Sequence, residues 1–247
     1  LLEGNTTNPT TLVPYFKIVN NTIYGNENAQ GTIGIDINNN AAPRLMNNII
    51  ANTTTGVQVD TTSTYSTLIS TVFKGNVVNV TGGVADNSVI NLTTQDPLFV
   101  DPANNNFYLQ ESITYTVVNP DNSTTTTTLY NKAIDSSIGY MTEREDYYDR
   151  VLNPLGYPSR ESIRTNSPPL DRYGQGRADD PWISVTTTGY SGTIYNDRGA
   201  IERIDFDGPT ARLISPVDST PGSSVSSDKN SAANDVYYVG DFLRNFA

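Results

Sequence analysis

The N-terminal part of the chain contains short runs in which apolar and polar side chains alternate. Two of these runs are Gly34-Ile35-Asp36-Ile37 and Gly56-Val57-Gln58-Val59. An apolar residue at every second position is typical of a strand that buries one face. Thr, whose β-branch favours strands, and Asn, which accepts the left-handed backbone of tight corners, are abundant. The pattern predicts an all-β chain of many short strands joined by sharp turns.

A second pattern, an Asn that recurs at regular intervals, separates these runs. It occurs in Val19-Asn20-Asn21-Thr22-Ile23, in Met46-Asn47-Asn48-Ile49-Ile50 and in Lys74-Gly75-Asn76-Val77-Val78. Positions 21, 48 and 76 therefore lie 27 and 28 residues apart. Such a period predicts a solenoid whose turns stack their strands in parallel. The alternative is a β-sandwich with coincidental Asn-Asn turns, although a sandwich does not require equal spacing.

Equivalent side chains on successive turns of such a solenoid form ladders. Ile23, Ile50 and Val78 are expected in one interior ladder, and Ile35 and Val57 in another. The Asn residues are expected at the corners, where each side-chain amide can bond to the equivalent amide of the next turn.

Later segments of the chain follow the order of a known ending. They are Asp96-Pro97-Leu98-Phe99-Val100-Asp101-Pro102, Asn106-Phe107-Tyr108-Leu109, Lys132-Ala133-Ile134-Asp135-Ser136-Ser137, Asp171-Arg172-Tyr173-Gly174-Gln175-Gly176-Arg177 and Asp197-Arg198-Gly199-Ala200-Ile201-Glu202. This series resembles the closing coils of bacterial right-handed parallel β-helix repeat proteins. In that family D-P-L-F-x-D and D-F-x-L precede S-P-A-I-D-x-G, D-x-x-G-x-x-R and D-I-G-A-Y-E.

The resemblance extends over roughly residues 15 to 204 and implies a fold rather than an activity. Two departures from the family pattern are Arg198 and Ile201, which replace the usual Ile and Tyr. The third segment also follows only after an insertion. The implied fold is a right-handed parallel β-helix with a hairpin and a short helix inserted in its closing coils.

Three regions are expected along the chain. Residues 1–110 would form the parallel coils, residues 111–204 the closing coils and cap, and residues 205–247 a linker with a partial Ig-like module or strand-exchange tail. In the tail, Val236-Tyr237-Tyr238-Val239 is the expected exchanged strand. We expect the chain to be a fragment of a longer polypeptide, with its N-terminal stack covered by further coils or a neighbouring copy.

Two insertions are predicted within the closing coils. Residues 113–118 and 123–130 alternate with period two around Asn119-Pro120-Asp121-Asn122, which predicts a β-hairpin. Thr142-Glu143-Arg144-Glu145 has the pattern of a helix-capping box, and an apolar stripe follows it at Tyr147, Tyr148, Val151 and Leu152. The closing-coil residues expected to be buried and to seal the solenoid interior from water are Phe99, Phe107, Leu109, Ile134, Ala200 and Ile201.

Composition narrows the chemistry that the chain can perform. Its 247 residues include no Cys and no His, which excludes disulfides, thiolate metal sites and catalytic Ser-His-Asp or Cys-His sets. The formal net charge of -11 argues against nucleic acid and anionic lipid as partners. No apolar run approaches the roughly 20 residues of a membrane span, so none is expected in this segment.

The β-helix resemblance also implies a test for catalysis. Polysaccharide lyases on this fold use carboxylate-bound calcium and a basic proton acceptor. Lys17 and Lys74 are expected at corresponding places on different coils, as solvated lysines on an outward face. No aspartate cluster falls beside them, so we expect no catalytic residues and no enzyme activity in this segment.

Carboxylates elsewhere could hold calcium, the one cofactor considered, because hard cations take several oxygen ligands. The group Glu143, Glu145, Asp146 and Asp149 is expected to be a solvated helix face paired with Arg144 and Arg150. The preferred calcium candidates are Asp179, Asp180, Asp205 and Asp207.

Six Asn-x-Ser/Thr sequons are candidate glycosylation sites, although a chain so rich in Asn and Thr yields sequons by chance. They begin at Asn5, Asn20, Asn52, Asn79, Asn91 and Asn122. Two of them, Asn20 and Asn52, are also expected at solenoid corners.

The expected function is that of a structural or adhesive component of an extracellular bacterial surface protein, such as a surface layer, filament or stalk. The alternative is the closing part of a polysaccharide lyase or carbohydrate-binding protein whose site lies upstream. The expected partners are further coils of the same polypeptide or neighbouring copies, with carbohydrate as a further candidate.

Overall fold

A computed structural model describes residues 2–3, 16–25, 31–87, 89–179 and 196–203. All of these residues belong to one compact unit, Leu1–Phe206. Strands dominate and one short α-helix is present in the described residues, which is consistent with the expected all-β class. The predicted tail at 205–247, including the exchanged strand, lies outside the described residues.

Three four-stranded parallel sheets form the first half of the described chain. Their orders are β1-β4-β7-β10, β11-β8-β5-β2 and β12-β9-β6-β3. Consecutive strands therefore belong to the three sheets in rotation. The strands are β1 Leu2–Glu3, β2 Lys17–Val19, β3 Thr22–Tyr24, β4 Ile33–Asn38, β5 Arg44–Met46, β6 Ile49–Ala51, β7 Thr55–Val59, β8 Thr67–Ile69, β9 Val72–Lys74, β10 Val78–Thr81, β11 Ala85–Asn87 and β12 Ile90–Leu92.

The register of these sheets tests the predicted ladders. Ile35 pairs with Val57, and Ile23 pairs with Ile50, as predicted. The place predicted for Val78 is taken by Phe73, because Ile50 pairs with Phe73. Val78 instead pairs with Thr55 in the first sheet, so this member of the ladder was wrong.

Unequal connections explain the error. Tyr24 pairs with Ala51, and Ile33 pairs with Thr55. The connection from Tyr24 to Ile33 is thus five residues longer than the equivalent connection from Ala51 to Thr55. The connection from Val59 to Thr67 is one residue longer than its equivalent from Ile37 to Arg44. The spacing along the ladder consequently falls by four, from 27 residues (Ile23 to Ile50) to 23 residues (Ile50 to Phe73).

Apolar side chains from all three sheets fill the interior between them. Six of them, two from each sheet, have no solvent exposure. Removing a side chain of this size from water is worth about 1.5 to 3 kcal/mol. This core therefore holds the three sheets against one another through Ile37, Val57, Leu45, Leu68, Ile50 and Phe73.

Left-handed corners connect strands of the second and third sheets. Asn20 and Asn47 occupy equivalent corners with φ values of 52° and 56°, and Ser70 occupies the next with φ 52°. Asn tolerates this backbone region better than most residues with a side chain. The predicted corner bonds between turns are present, since Asn47 Nδ2 donates to Asn20 Oδ1 at 3.3 Å. The Asn21 backbone N–H likewise donates to Asn48 Oδ1 at 2.9 Å.

Asn76 belongs to a different corner from the one predicted. Its Oδ1 accepts from the Thr53 backbone N–H at 2.9 Å, and its Nδ2 donates to the Ile50 carbonyl at 3.0 Å. It therefore follows the third sheet, whereas Asn21 and Asn48 precede it. The similar spacing of Asn residues in the sequence therefore led us to treat two different corners as equivalent.

Three antiparallel pairs follow the parallel sheets. β13 Phe99–Asp101 pairs with β14 Asn106–Leu109 across a 3-10 turn at Pro102–Asn104. β15 Ser112–Val118 pairs with β16 Thr124–Tyr130, which confirms the predicted hairpin. β17 Tyr140–Thr142 pairs with β18 Arg164–Asn166.

The helical insertion lies between β17 and β18. Helix α1 (Glu145–Tyr147) continues directly into a π-helical turn at Tyr148–Leu152. The predicted apolar stripe is buried at Tyr147, Val151 and Leu152 and half-buried at Tyr148. The predicted capping box was wrong, because Thr142 ends β17 and Arg144, next to the helix, makes no side-chain capping bond.

A second apolar cluster includes the outer face of the third sheet and the closing segments. Phe99, Leu109, Ile134 and Ile201 are buried, as predicted. The first three belong to a cluster separate from the core between the three sheets, so the prediction that they seal that interior was wrong. Phe107 is only half-buried, since its ring packs at the margin of this cluster against Tyr24 and Phe99. Ala200 is also half-buried, because it lines a surface cleft.

Replacing Phe99 with Ala is expected to lower the free energy of unfolding by about 3 to 5 kcal/mol. The side chain is 7 % exposed and its ring meets the rings of Tyr24 and Phe107 edge-on or tilted. Urea denaturation followed by circular dichroism measures the change. The matched control is Val100→Ala in the same strand, where the side chain is 52 % exposed and a change below about 1 kcal/mol is expected. Equal effects of the two substitutions would contradict the role of Phe99.

Candidate functional site

The two lysines considered for catalysis do not share a face. Lys17 lies on β2 in the second sheet, and its Nζ donates to the Arg164 carbonyl at 3.0 Å. Lys74 lies on β9 in the third sheet, and its Nζ donates to the Asp96 carbonyl. Burial lowers the pKa of Lys74, and the charge of Asp96 opposes the shift. The prediction that they occupy corresponding places was wrong, for the same reason that the Asn spacing misled.

The expected solvated acidic face is divided between core and surface. Glu143 has no solvent exposure and accepts hydrogen bonds from both Nε and Nη2 of Arg44. Arg44, on β5, is equally buried and also donates to the carbonyls of Ala42 and Tyr65 at 3.0 and 2.7 Å. Its guanidinium lies 4.7 Å from the centre of the Tyr147 ring. Glu143 therefore fastens the helical insertion to the second sheet, and its assignment to a solvated face was wrong.

The remaining acidic residues of this group surround an open cleft of about 530 Å³. Asp146 pairs with Arg144 at 2.6 Å, as expected, while Glu145 and Asp149 are exposed. Burial raises the pKa of Asp146, but the hydrogen bonds and charge of Arg144 outweigh it and hold the pKa below its ordinary value. Within the described ranges, no group of three carboxylate or other metal-ligating side chains is arranged to hold an ion.

Asp179 is the one preferred calcium candidate that lies among the described residues, and its side chain is exposed. Asp180, Asp205 and Asp207 lie outside them, so these candidates stay predictions.

The sequons differ in how accessible their side chains are. Asn20 is buried and bonded, so the folded chain offers no room for a glycan there. Asn52 and Asn79 are half-buried, and each donates a side-chain hydrogen bond, to Tyr24 and Asn91 respectively. Asn91 and Asn122 are exposed. Asn5 lies outside the described residues.

The last two family-like segments meet in a buried polar cluster, here called the closing junction: Asp171, Arg177, Asp197, Arg198 and Glu202. Arg177 Nη1 donates to Glu202 Oε2 at 2.8 Å, and the Glu202 backbone N–H donates to Asp171 Oδ2 at 3.2 Å. The Asp197 backbone N–H donates to Glu202 Oε1 at 3.1 Å. The Glu202 and Asp171 carboxylates thus each receive a donor from the opposite segment, which fixes the two segments to each other.

The closing junction is also joined to the parallel sheets. Asn20 Nδ2 donates to the Asp197 carbonyl at 3.2 Å, and the Gly199 N–H donates to the Asn47 carbonyl at 2.8 Å. A side chain at position 199 would collide with Ile49 and Thr22, and the φ of 91° there suits Gly. The family-like Gly therefore permits close approach of the junction to the second and third sheets.

Burial perturbs the ionisable groups of the junction. It raises the pKa of Asp197, and the nearby charge of Glu202 adds to this effect. Burial also raises the pKa of Glu202, against the lowering effect of its hydrogen bonds and of Arg177. Burial lowers the pKa of Arg198 to about 9, and its guanidinium donates to the Ser136 carbonyl at 2.8 and 2.9 Å. The shifts of both carboxyl groups are therefore toward the protonated form, as expected for acids removed from water.

A cleft of about 440 Å³ opens beside the closing junction. Its polar lining includes Asn21, Asp171, Arg172 and Arg177, and its apolar lining includes Pro168 and Leu170. We call it the junction cleft. Its lining combines apolar surface with fixed polar groups, as small-molecule sites do.

Two exposed tyrosines, Tyr108 and Tyr173, lie near the junction cleft without lining it, and Tyr173 directly follows Arg172 of the lining. The rings of Tyr108 and Tyr173 are stacked, with centres 6.2 Å apart and planes 17° apart. Arg172, which lines the cleft, holds its guanidinium 5.9 Å from the centre of the Tyr173 ring. Burial raises the pKa of the Tyr108 hydroxyl, and the charges of Tyr173 and Asp171 add to this effect.

The motif positions of these residues were a signal that our site predictions did not use. Tyr108 occupies the variable position of D-F-x-L, and Arg172 and Tyr173 occupy the two variable positions of D-x-x-G. The fixed residues of the patterns build the closing junction and core, whereas the variable ones face outward. Arg44 had no such signal, because a single Arg in a strand predicts a solvated side chain.

No protein-family model matches this chain, and no curated protein or solved structure matches it either. Among the described residues, no helix has the length and apolar character needed to cross a membrane.

Replacing Glu143 with Leu is expected to cost about 3 to 5 kcal/mol of unfolding free energy, because it leaves the Arg44 charge buried without its partner. Chemical denaturation at neutral pH measures the loss. Glu145→Leu is the control, since that carboxylate is 80 % exposed and its 3.5 Å pair with Arg160 is worth about 0 to 1 kcal/mol. A Glu143→Leu variant as stable as this control would contradict the buried pair.

Proposed function

We propose that this chain is the closing part of a right-handed parallel β-helix and serves as a structural or adhesive component of an extracellular bacterial surface protein. The observation that carries the proposal is the rotation of consecutive strands among three parallel sheets in matched register. A chain that winds in one sense produces this order. Parallel connections in globular proteins are right-handed in nearly all cases, which supports the proposed hand.

The architecture supports a scaffold because its order comes from short contacts between neighbouring turns. In repeat architectures each unit contacts its neighbours in the stack, so a stack of this kind can extend without a change of design. The closing junction gives the Asn20 and Asn47 corners a polar, hydrogen-bonded cover. A stiff element of this kind suits a stalk, filament or surface layer, in which length and rigidity are the working properties.

The net charge of -11 and the absence of Cys are compatible with such a setting. The resemblance of the closing segments to bacterial β-helix surface proteins is the second support. Calcium at Asp179 and its neighbours in sequence, and glycans at Asn91 and Asn122, are included in the proposal as modifications of the scaffold.

The second candidate function is part of a polysaccharide lyase. One observation favours it, namely the lowered pKa of Lys74, because a lysine of lowered pKa can act as a proton acceptor. The carbonyl of Asp96 holds this Nζ, however, and the side chain bonds within the closing segments rather than facing an open groove. We therefore propose no catalysis for this segment.

Surface location is tested by antibody labelling of intact source cells, with an antibody raised against the purified chain. We expect labelling without permeabilisation, at the level of a known surface protein. Labelling that requires permeabilisation would contradict the extracellular role. A cytoplasmic protein probed on the same cells is the control for lysis.

Catalysis is tested with the purified chain and a panel of acidic polysaccharides, with and without calcium. We expect no unsaturated product by absorbance and no new reducing ends. Turnover that disappears in Lys74→Ala but persists in Lys17→Ala would establish the lyase and overturn the scaffold proposal. Lys17 is the matched control because its Nζ also bonds to a backbone carbonyl but lies on the second sheet.

A further inference from the structure

We propose that the junction cleft binds a neutral saccharide, which stacks on the exposed face of the Tyr108–Tyr173 pair and accepts hydrogen bonds from Arg172 and Arg177. The proposal concerns the chain's own cleft and goes beyond the scaffold role. It does not depend on the extracellular location, so the two can fail separately.

The tyrosine pair provides the stacking surface. Tyr108 is 39 % exposed and Tyr173 is 58 % exposed, although aromatic rings normally gain from burial. The two rings stack on each other, and Arg172, a residue of the cleft lining, holds its guanidinium 5.9 Å from the centre of the Tyr173 ring. The C–H face of a pyranose ring is apolar and flat, and it packs well on such a surface, while the hydroxyls at its edge remain available to polar groups.

The loop that carries Tyr173 is held rigidly before any ligand arrives. Asp171 Oδ1 accepts from the backbone N–H groups of Tyr173 at 2.8 Å and Gln175 at 2.9 Å. A bridge between Leu170 and Gly176 closes the loop below them. A preformed loop loses little conformational entropy when it binds, which favours a real site over a chance exposure of one ring.

Two arginines supply donors at the cleft. Within the described part of the chain, the Arg172 guanidinium has no hydrogen-bond or ion-pair partner. It contacts the Tyr173 ring. Arg177 has a side chain that is 1 % exposed, yet its Nε–H also lacks a partner within the described residues. Buried donors are rarely left unpaired, and a saccharide hydroxyl that reached Nε would satisfy this one.

The charge balance favours a neutral ligand over an acidic one. Arg177 is neutralised by Glu202, and Asp171 already accepts three backbone N–H groups. Arg172 thus adds one exposed positive charge to a chain whose net charge is -11. A polyanion would meet long-range repulsion from the whole molecule, whereas a neutral saccharide would not.

The dimensions agree with this ligand class. Small-molecule clefts generally enclose about 300 to 1,000 Å³, and the junction cleft of about 440 Å³ lies near the lower limit. Pro168 and Leu170 add apolar surface opposite the polar groups. An amphipathic ligand of one or two sugar units fits this mixture better than a purely apolar molecule.

The test is a binding screen of the full chain against immobilised neutral oligosaccharides: cello-, xylo-, manno-, galacto- and malto-oligosaccharides. The best probe is then titrated in solution by calorimetry. We expect at least one probe to bind, with an affinity that changes less than twofold between low and high salt. Tyr173→Ala and Arg172→Ala should each weaken it at least tenfold.

Two exposed residues away from the cleft lining provide matched controls. Tyr157→Ala and Arg150→Ala should change the affinity less than twofold. Thermal unfolding of each variant must match that of the parent chain. Both cleft substitutions are at exposed positions, so neither is expected to disturb folding. Failure of every neutral probe would overturn the proposal. So would binding that survives both cleft substitutions, or binding restricted to anionic saccharides and abolished by salt.

Discussion

The structure depends on the left-handed Asn corner between the second and third sheets. Strands of three residues can remain in register only if the chain turns at the same place on each level. Asn47 meets this need with a φ of 56° and with a side chain that is fully buried and bonded. Its amide donates to Asn20 Oδ1 and to the Ile138 carbonyl, and it accepts from the Ile138 N–H. One side chain therefore holds its own corner, the neighbouring corner at Asn20 and the closing segments in place.

The remaining architecture follows from that constraint. With the corners aligned, apolar side chains from the three sheets fill one interior, and the closing junction can dock on the corner through Gly199. The Arg44–Glu143 pair fixes the position of the helical insertion in the same way. A buried charge is stable only when its partner is correctly placed, so few other arrangements of the insertion are possible. Polar interactions thus specify how the segments join, while apolar burial supplies most of the stabilisation.

Strands, corners and the hairpin could be predicted from the sequence because each depends on residues that lie close together in the chain. Ile35 and Val57 were paired correctly, since their connecting segments are of ordinary length. Val78 was misplaced because a long connection after Tyr24 changed the spacing, and such a change leaves no local mark. The junction cleft was not predicted, because residues such as Tyr173 acquire their neighbours only when segments distant in sequence meet.

The role of the Asn47 amide is tested most directly by the unfolding free energy of the Asn47→Gly variant. Gly keeps the left-handed backbone without strain but removes the amide, which leaves the buried N–H and carbonyl of Ile138 without partners. The account predicts a loss of at least about 2 kcal/mol. Asn39→Gly, at another left-handed position with φ 56°, is the control and should change stability by less than about 0.5 kcal/mol. An Asn47→Gly variant as stable as this control would show that the corner needs only the backbone conformation, and would contradict the central role of the amide.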